Sequence, residues 1–226
     1  MLRNTFLHFR GVGPVLEAEL WSRGFANWDD LVKSGSRDRL ARTLASQARS
    51  SRRRLAARHA AYFQAALPSG HRWRLYPDFL LDAAFLDIET TGLSPDYSVT
   101  TMVGILDRHG YASYIRGYNL DELPDVLRRY RLFVTFNGSA FDIPFLSRDL
   151  GVARDELFGQ AAHIDLRYLL GSLGMTGGLK RIEREAGVGR PSELAGLAGA
   201  DAVTLWQMAN EGEPDALPTL IRYNAE

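Results

Sequence analysis

The chain holds 226 residues, 46% of them hydrophobic, enough to bury a full α/β core with a small appendage. It has no cysteine, which excludes disulfides and thiolate zinc sites, no apolar run approaching the ~20 residues of a membrane span, and no basic-then-apolar start of the signal-peptide kind, so a cytoplasmic location is expected. The formal net charge is zero, but residues 1–74 carry 14 Lys and Arg against 5 Asp and Glu, whereas the remainder carries 13 against 22. A basic segment that would hold a polyanion thus precedes an acidic one suited to a metal, although charge pairing between the two parts explains the same asymmetry.

Taken in chain order, Arg10-Gly11-Val12-Gly13-Pro14 leads into Val15, Leu16, Ala18, Leu20 and Trp21, spaced for a helix with one apolar side. Gly24-Phe25 ends that helix and Asn27-Trp28-Asp29-Asp30-Leu31 starts another. This resembles the helix-hairpin-helix family of DNA-backbone binders, in which the glycine turn, here Gly11 and Gly13, offers backbone N–H groups to a phosphate. An ordinary helical hairpin without a ligand fits the same residues.

Ser36 to Ala66 reads as helix, with Arg37, Arg39, Arg42, Arg49, Arg52, Arg53, Arg54 and Arg58 against the single acid Asp38. Such a run serves either as a solvated face or as a phosphate contact, for which guanidinium is well shaped. Pro68-Ser69-Gly70 closes it and divides a basic helical module, residues 1–70, from residues 71–226.

Ala83-Ala84-Phe85-Leu86-Asp87-Ile88-Glu89-Thr90-Thr91-Gly92 reads as a buried strand, and its period of two sends Asp87 and Glu89 to one side. Carboxylates that close repel unless a cation lies between them, and an all-oxygen donor set suits Mg²⁺ or Mn²⁺. The plainer reading is an edge strand bearing two solvated acids. Ser98 to Asp107 and Tyr111 to Arg116 read as two further strands of an antiparallel meander, followed by a helix over Leu120 to Tyr130 and a nearly all-apolar strand over Leu132 to Phe136. Asn137-Gly138 releases that strand, and Pro144 places Asp142 at the start of a helix emerging from the strand's carboxyl end, where open α/β sheets bind ligands. Asp142 would otherwise serve simply as a cap.

Asp87-Ile88-Glu89-Thr90-Thr91-Gly92-Leu93 together with Asn137 through Phe141-Asp142 to Leu146 resembles the first two motifs of the DEDD exonucleases, which share the ribonuclease H-like fold. His163-Ile164-Asp165-Leu166, Gly177 to Glu183 and Asp201 to Trp206 are similar to the bacterial YprB-like branch. The resemblance runs from about Leu80 to the last residue. It implies an α/β fold, a ribonuclease H-like mixed five-stranded sheet flanked by helices and preceded by a small all-helical domain. It further implies a 3′–5′ exonuclease that uses two Mg²⁺ or Mn²⁺ ions per site on single-stranded DNA or RNA with a free 3′ end. Asp87, Glu89 and Asp142 would ligate metal, Tyr223 would orient the attacking water, and Thr90, Asn137, Phe141, Arg49, Arg52, Arg53, Gly11 and Gly13 would contact nucleic acid.

One departure stands out. The family delivers a fourth acid from a late helix in a Tyr-x-x-x-Asp or His-x-x-x-x-Asp pattern, and no histidine follows His163. Tyr223-Asn224-Ala225-Glu226 begins the tyrosine form on a helix over Leu217 to Glu226, one residue short of the aspartate. Either the domain runs on past Glu226, or Glu226, Asp165 or Asp201 substitutes, or the site is inactive. Asp165 reads better as a local anchor and Asp201 as a helix cap. An inactive nucleic-acid-binding module and an endonuclease on RNA–DNA hybrids are the alternatives in function.

Overall fold

A computed structural model describes residues 1–34, 39–191 and 196–226. The chain opens with α1 (Pro14–Ser22) and α2 (Trp28–Ser34), continues through α3 (Arg39–Ala56) and α4 (Ala60–Ala66), and reaches the sheet by a 3₁₀ turn and the short α5 (Tyr76–Phe79). The expected helix start at Ser36, with Arg37, lies outside the described residues. The single long helix expected through Ala66 is in fact broken, because Arg58 adopts φ +53°. Its guanidinium leaves the helix direction to meet Asp82, the Asp78 carbonyl at 2.7 Å and the face of Phe79 at 4.5 Å. That contact ties the basic segment to the residues that enter the first strand.

The described residues form a five-stranded sheet in the order β3-β2-β1-β4-β5. β1 (Ala83–Thr90), β2 (Thr100–Asp107) and β3 (Gly110–Ile115) make the antiparallel meander, while β4 (Leu132–Thr135) and β5 (Ala162–Asp165) run parallel to β1. β1 is therefore central in the sheet order, paired with β4 over Ala83 to Phe85 and with β2 from Phe85 to Thr90, so Asp87 and Glu89 stand beyond the stretch that pairs with β4. The remaining helices are α6 (Leu123–Leu127), α7 (Asp142–Asp149), α8 (Arg154–Phe158), α9 (Leu166–Ser172), α10 (Leu179–Glu185), α11 (Gly199–Asn210) and α12 (Ala216–Ala225).

Alternation along β1 sends Ala84, Leu86 and Ile88 into a core with Phe133, Phe145 and Leu146, which α6, α7 and α8 complete. The opposite face is covered in two pieces. Leu132, Val134, Ala162 and Ile164 pack with Trp28, Phe63 and Phe79 of the N-terminal helices, so the apolar core continues across residue 70. Met102 and Ile115 pack under Ala202 and Leu220 of α11 and α12. Between the two coverings a strip of sheet is left open.

Inside the N-terminal segment, the buried Glu17 carboxylate accepts from the Phe6 N–H at 2.7 Å and the Thr5 hydroxyl at 2.5 Å, with Arg74 at 3.2 Å. A first-turn glutamate of α1 is thereby the joint between the chain start, α1 and the approach to the sheet. No helix among the described residues is long and apolar enough to cross a membrane.

Candidate active site

The open strip is the floor of a cleft of about 580 Å³. Phe85, Asp87 and Glu89 of β1 line it from one face, as their odd spacing requires, with Leu106 and Gly104 of β2 alongside. Phe85 and Leu106 are paired in register and remain 37% and 45% exposed, so the floor is apolar below the two acids. Tyr223, Asn224 and Glu226 of the last helix close one side, and Lys180 and Arg190 another.

Burial, then the charge of Asp87, pushes the Glu89 carboxyl up to about 7. Asp87 is pushed up to about 6, first by the crowding of the cleft walls, against the pull of Arg190. Its surface nevertheless faces the water of the cleft, so its desolvation is partial. Asp142, the first residue of α7, is 2% exposed and is held well above the usual carboxylate range by burial and then by Asp87. Its Oδ1 is buried without a hydrogen-bond partner. The cap reading leaves that oxygen unexplained.

A residue not singled out by motif reasoning joins the pair. Asn224 Nδ2 donates to Asp87 Oδ2 and to Glu89 Oε1, each at 3.1 Å, and its Oδ1 accepts from the Tyr111 hydroxyl at 2.9 Å. With Tyr111 Oη donating to Oδ1 and both carboxyl oxygens accepting from Nδ2, the amide orientation follows from its neighbours. Gly104, opposite Asp87 in the ladder, makes the approach feasible: a Cβ there would lie 1.8 Å from Asn224 Oδ1. A lone glycine inside an apolar strand is the one signal in the sequence that pointed to such an approach.

The loop before Asp142 is held by Asp165, which accepts from the backbone N–H groups of Asn137 at 2.8 Å, Ser139 at 3.0 Å and Arg167 at 3.1 Å. Asp165 is therefore the anchor that its position implied. Thr135 Oγ1 accepts from the Gly138 N–H at 3.1 Å and meets His163 Nε2 at 2.8 Å, so both parallel strands fix the same turn. Asp201 reaches back to the Ala198 N–H at 2.6 Å from the third position of α11 and so caps that helix from inside.

Of the other expected residues Tyr223 lines the cleft, whereas Thr90, Asn137, Phe141, Arg49, Arg52, Arg53, Gly11 and Gly13 lie away from its lining. Thr90 donates its hydroxyl to the Gly92 carbonyl at 2.6 Å. Asn137 sits at φ +66° and accepts from Arg167 at 2.7 Å, while Phe141 packs 4.6 Å from the Phe145 ring. Arg49, Arg52 and Arg53 are exposed on α3, Arg52 pairing with Asp29 at 3.0 Å. Gly11 takes φ +84°, and Gly13 precedes Pro14 at the start of α1. Tyr223 is raised to about 12 by burial and then by Glu89, and its ring faces Lys180 Nζ at 5.2 Å. Arg190 is held by Glu183 through two contacts of 2.7 Å.

The donor chemistry fits a hard divalent cation, with oxygen ligands, mutually repelling acids and one orphaned buried oxygen. It is not a finished cage. Among the described residues no three His, Cys, Asp or Glu side chains are gathered closely enough to hold an ion as they stand.

The model of the RNase_H superfamily matches residues 84–226, which spans β1, α7 and α12. The chain belongs to the RNase_H superfamily. Solved structures similar to this superfamily member include the family B DNA polymerase of the archaeon Pyrobaculum calidifontis, with 20% identity over 62% of this chain and 22% of that one and a TM-score of 0.51. E. coli ExoI in an ssDNA complex shares 12% identity over 62% and 42% with a TM-score of 0.41, and Brucella melitensis NrnC 16% over 66% and 85% with a TM-score of 0.37. The match spans less than half of the polymerase and ExoI chains, and likeness at these identities concerns the fold alone. No curated protein matches the sequence.

Proposed function

We propose that this RNase H superfamily member is a DEDD-type nuclease that removes nucleotides from the 3′ end of single-stranded DNA or RNA with two Mg²⁺ or Mn²⁺ ions. The observation that carries this reading is the pair Asp87 and Glu89 on one face of β1, with the buried Asp142, whose Oδ1 has no partner, near enough for the charge of Asp87 to raise it. When bound, paired divalent ions supply an activated water and stabilise the departing 3′ oxygen.

The chain's own residues do the rest. Asp87, Glu89 and Asp142 would hold the ions. Tyr223, on the helix that closes one side of the cleft, would orient the attacking water as in the tyrosine subclass of the family. Lys180 and Arg190 bring positive charge to a cleft whose acids would otherwise repel a phosphodiester. Phe85 and Leu106 offer apolar floor to a base. Thr90 at the end of β1, with Asn137 and Phe141 in the turn before α7, would contact the terminal nucleotide, and the loop that Asp165 anchors sets the position of Asp142.

Further from the cleft, Gly11, Gly13, Arg49, Arg52 and Arg53 hold the strand's backbone as a helix-hairpin-helix-like module, in the manner of a cytoplasmic YprB-like enzyme. A second reading, a binding module without turnover, draws on the hold of Asn224 on the acid pair. The test is degradation of a 5′-labelled single strand in Mn²⁺. The expected result is stepwise shortening with release of nucleoside 5′-monophosphates, arrest on a 3′-blocked strand, and no reaction with Asp87→Ala. Salt-sensitive binding without cleavage would favour the binding module, and cutting of the blocked strand would favour an endonuclease.

A further inference from the structure

We propose that Asn224 is itself a metal ligand, whose carboxamide turns over when Mg²⁺ or Mn²⁺ binds so that Oδ1 takes the place now held by Nδ2. The proposal rests on the reading of Asp87 and Glu89 as metal ligands. It starts from what the amide does at present. Its nitrogen lies 3.1 Å from one oxygen of each carboxylate, bridging two acids that repel one another. A neutral donor can satisfy part of that negative charge but cannot cancel it.

The nitrogen and oxygen of a carboxamide are nearly the same size, and the terminal torsion that exchanges them is soft. Exchange would set three oxygens, from Asp87, Glu89 and Asn224, at the corners now occupied by two oxygens and a nitrogen. Two ligands at right angles around Mg²⁺, each about 2.1 Å from the ion, stand about 3 Å apart. The two observed 3.1 Å separations, ordinary for the present hydrogen bonds, also leave the spacing that an oxygen at the same corner would need to share an ion with each carboxylate.

The other end of the amide tolerates the exchange. Tyr111 now donates to Oδ1 at 2.9 Å, and a phenolic oxygen can equally accept from an NH₂ group. Gly104 leaves the space beneath the amide free of a Cβ. α12, which delivers Asn224, is fixed by the packing of Leu220 with Met102 and Ala202, so the ligand arrives on a rigid element. The late helix would thus contribute an oxygen through a neutral residue.

The test is calorimetric titration of the chain with MnCl₂. Asn224→Ala should weaken Mn²⁺ binding at least tenfold, and the isosteric Asn224→Asp, which keeps the shape and supplies an anionic oxygen, should bind more tightly than the parent. Tyr111→Phe should fall between the parent and Asn224→Ala. If Asn224→Ala binds Mn²⁺ as tightly as the parent or better, the amide is a plug that the ion displaces, and the proposal is overturned. Asn224→Asp binding no more tightly than the parent overturns it too, independently of any folding defect in the alanine variant. Parent-like affinity in Asp87→Ala would instead overturn the underlying reading of the acid pair.

Discussion

Gly104 of β2 stands opposite Asp87 of β1 in the antiparallel ladder, and the space it leaves empty is filled by the Asn224 carboxamide. Gly104→Ala would place a methyl 1.8 Å from Asn224 Oδ1 and 2.9 Å from the Tyr111 ring, so one of them must move. The expected cost is about 1–3 kcal/mol in stability, read by thermal unfolding, together with weaker Mn²⁺ binding. Unchanged melting and unchanged affinity would mean that the side chain has room to spare.

Stability should depend on pH through the same acids. Asp87 and Glu89 hold their protons more tightly in the fold than in the unfolded chain, rising from 3.8 to about 6 and from 4.5 to about 7. Between those limits the folded state binds more protons, so their contribution is fully present below about pH 4 and is lost as the pH climbs through 6 and 7. Glu89→Gln should remove about 2 kcal/mol of that loss at pH 8 without metal, raising the melting temperature. Asp87→Asn should do less, because its carboxylate faces cleft water. Added Mn²⁺ should stabilise the parent and not the Asp87→Asn, Glu89→Gln double variant. A parent whose metal-free melting temperature, relative to the double variant, does not fall from pH 5 to pH 8 would contradict the account.

The loop that presents Asp142 depends on one side chain. Asp165→Ala would strand the N–H groups of Asn137, Ser139 and Arg167, at an expected cost of about 2 kcal/mol. Turnover should drop with the loop loosened, while Mn²⁺ affinity changes only a few-fold. Loss of Mn²⁺ binding without loss of stability would show that Asp165 is a ligand after all.

Most of the sheet was legible because its signals are local. The alternation through Asp87 and Glu89, the Asn137-Gly138 release and the Pro144 helix start each act within a few residues, and the strands and α7 lie where those residues imply. The break at Arg58 was not legible, since it depends on Asp82 and Phe79 more than twenty residues away. The same holds for Asn224, which meets Tyr111 across 113 positions and Asp87 across 137. An unremarkable asparagine after Tyr223 carries no trace of such partners. Only Gly104, small where its strand is otherwise apolar, recorded that something comes close.

The basic segment can be probed without reference to chemistry. Glu17→Ala would leave the Arg74 guanidinium and the Phe6 N–H buried without their acceptor, and unfolding measurements should show a loss of about 3–5 kcal/mol. Glu17→Gln, which retains an oxygen, should cost less. Equal and small losses in both variants would mean that the joint between α1 and the sheet is made elsewhere.

The central claim is that the acids of β1 and α7 exist to hold divalent ions. Anomalous diffraction at the manganese edge from crystals grown in MnCl₂ tests it directly. The account predicts a manganese peak within about 2.0–2.3 Å of carboxylate oxygens of both Asp87 and Glu89, with Asp142 Oδ1 drawn into the same shell. Manganese bound only at other carboxylates, with Asn224 still donating to an ion-free acid pair, would contradict it.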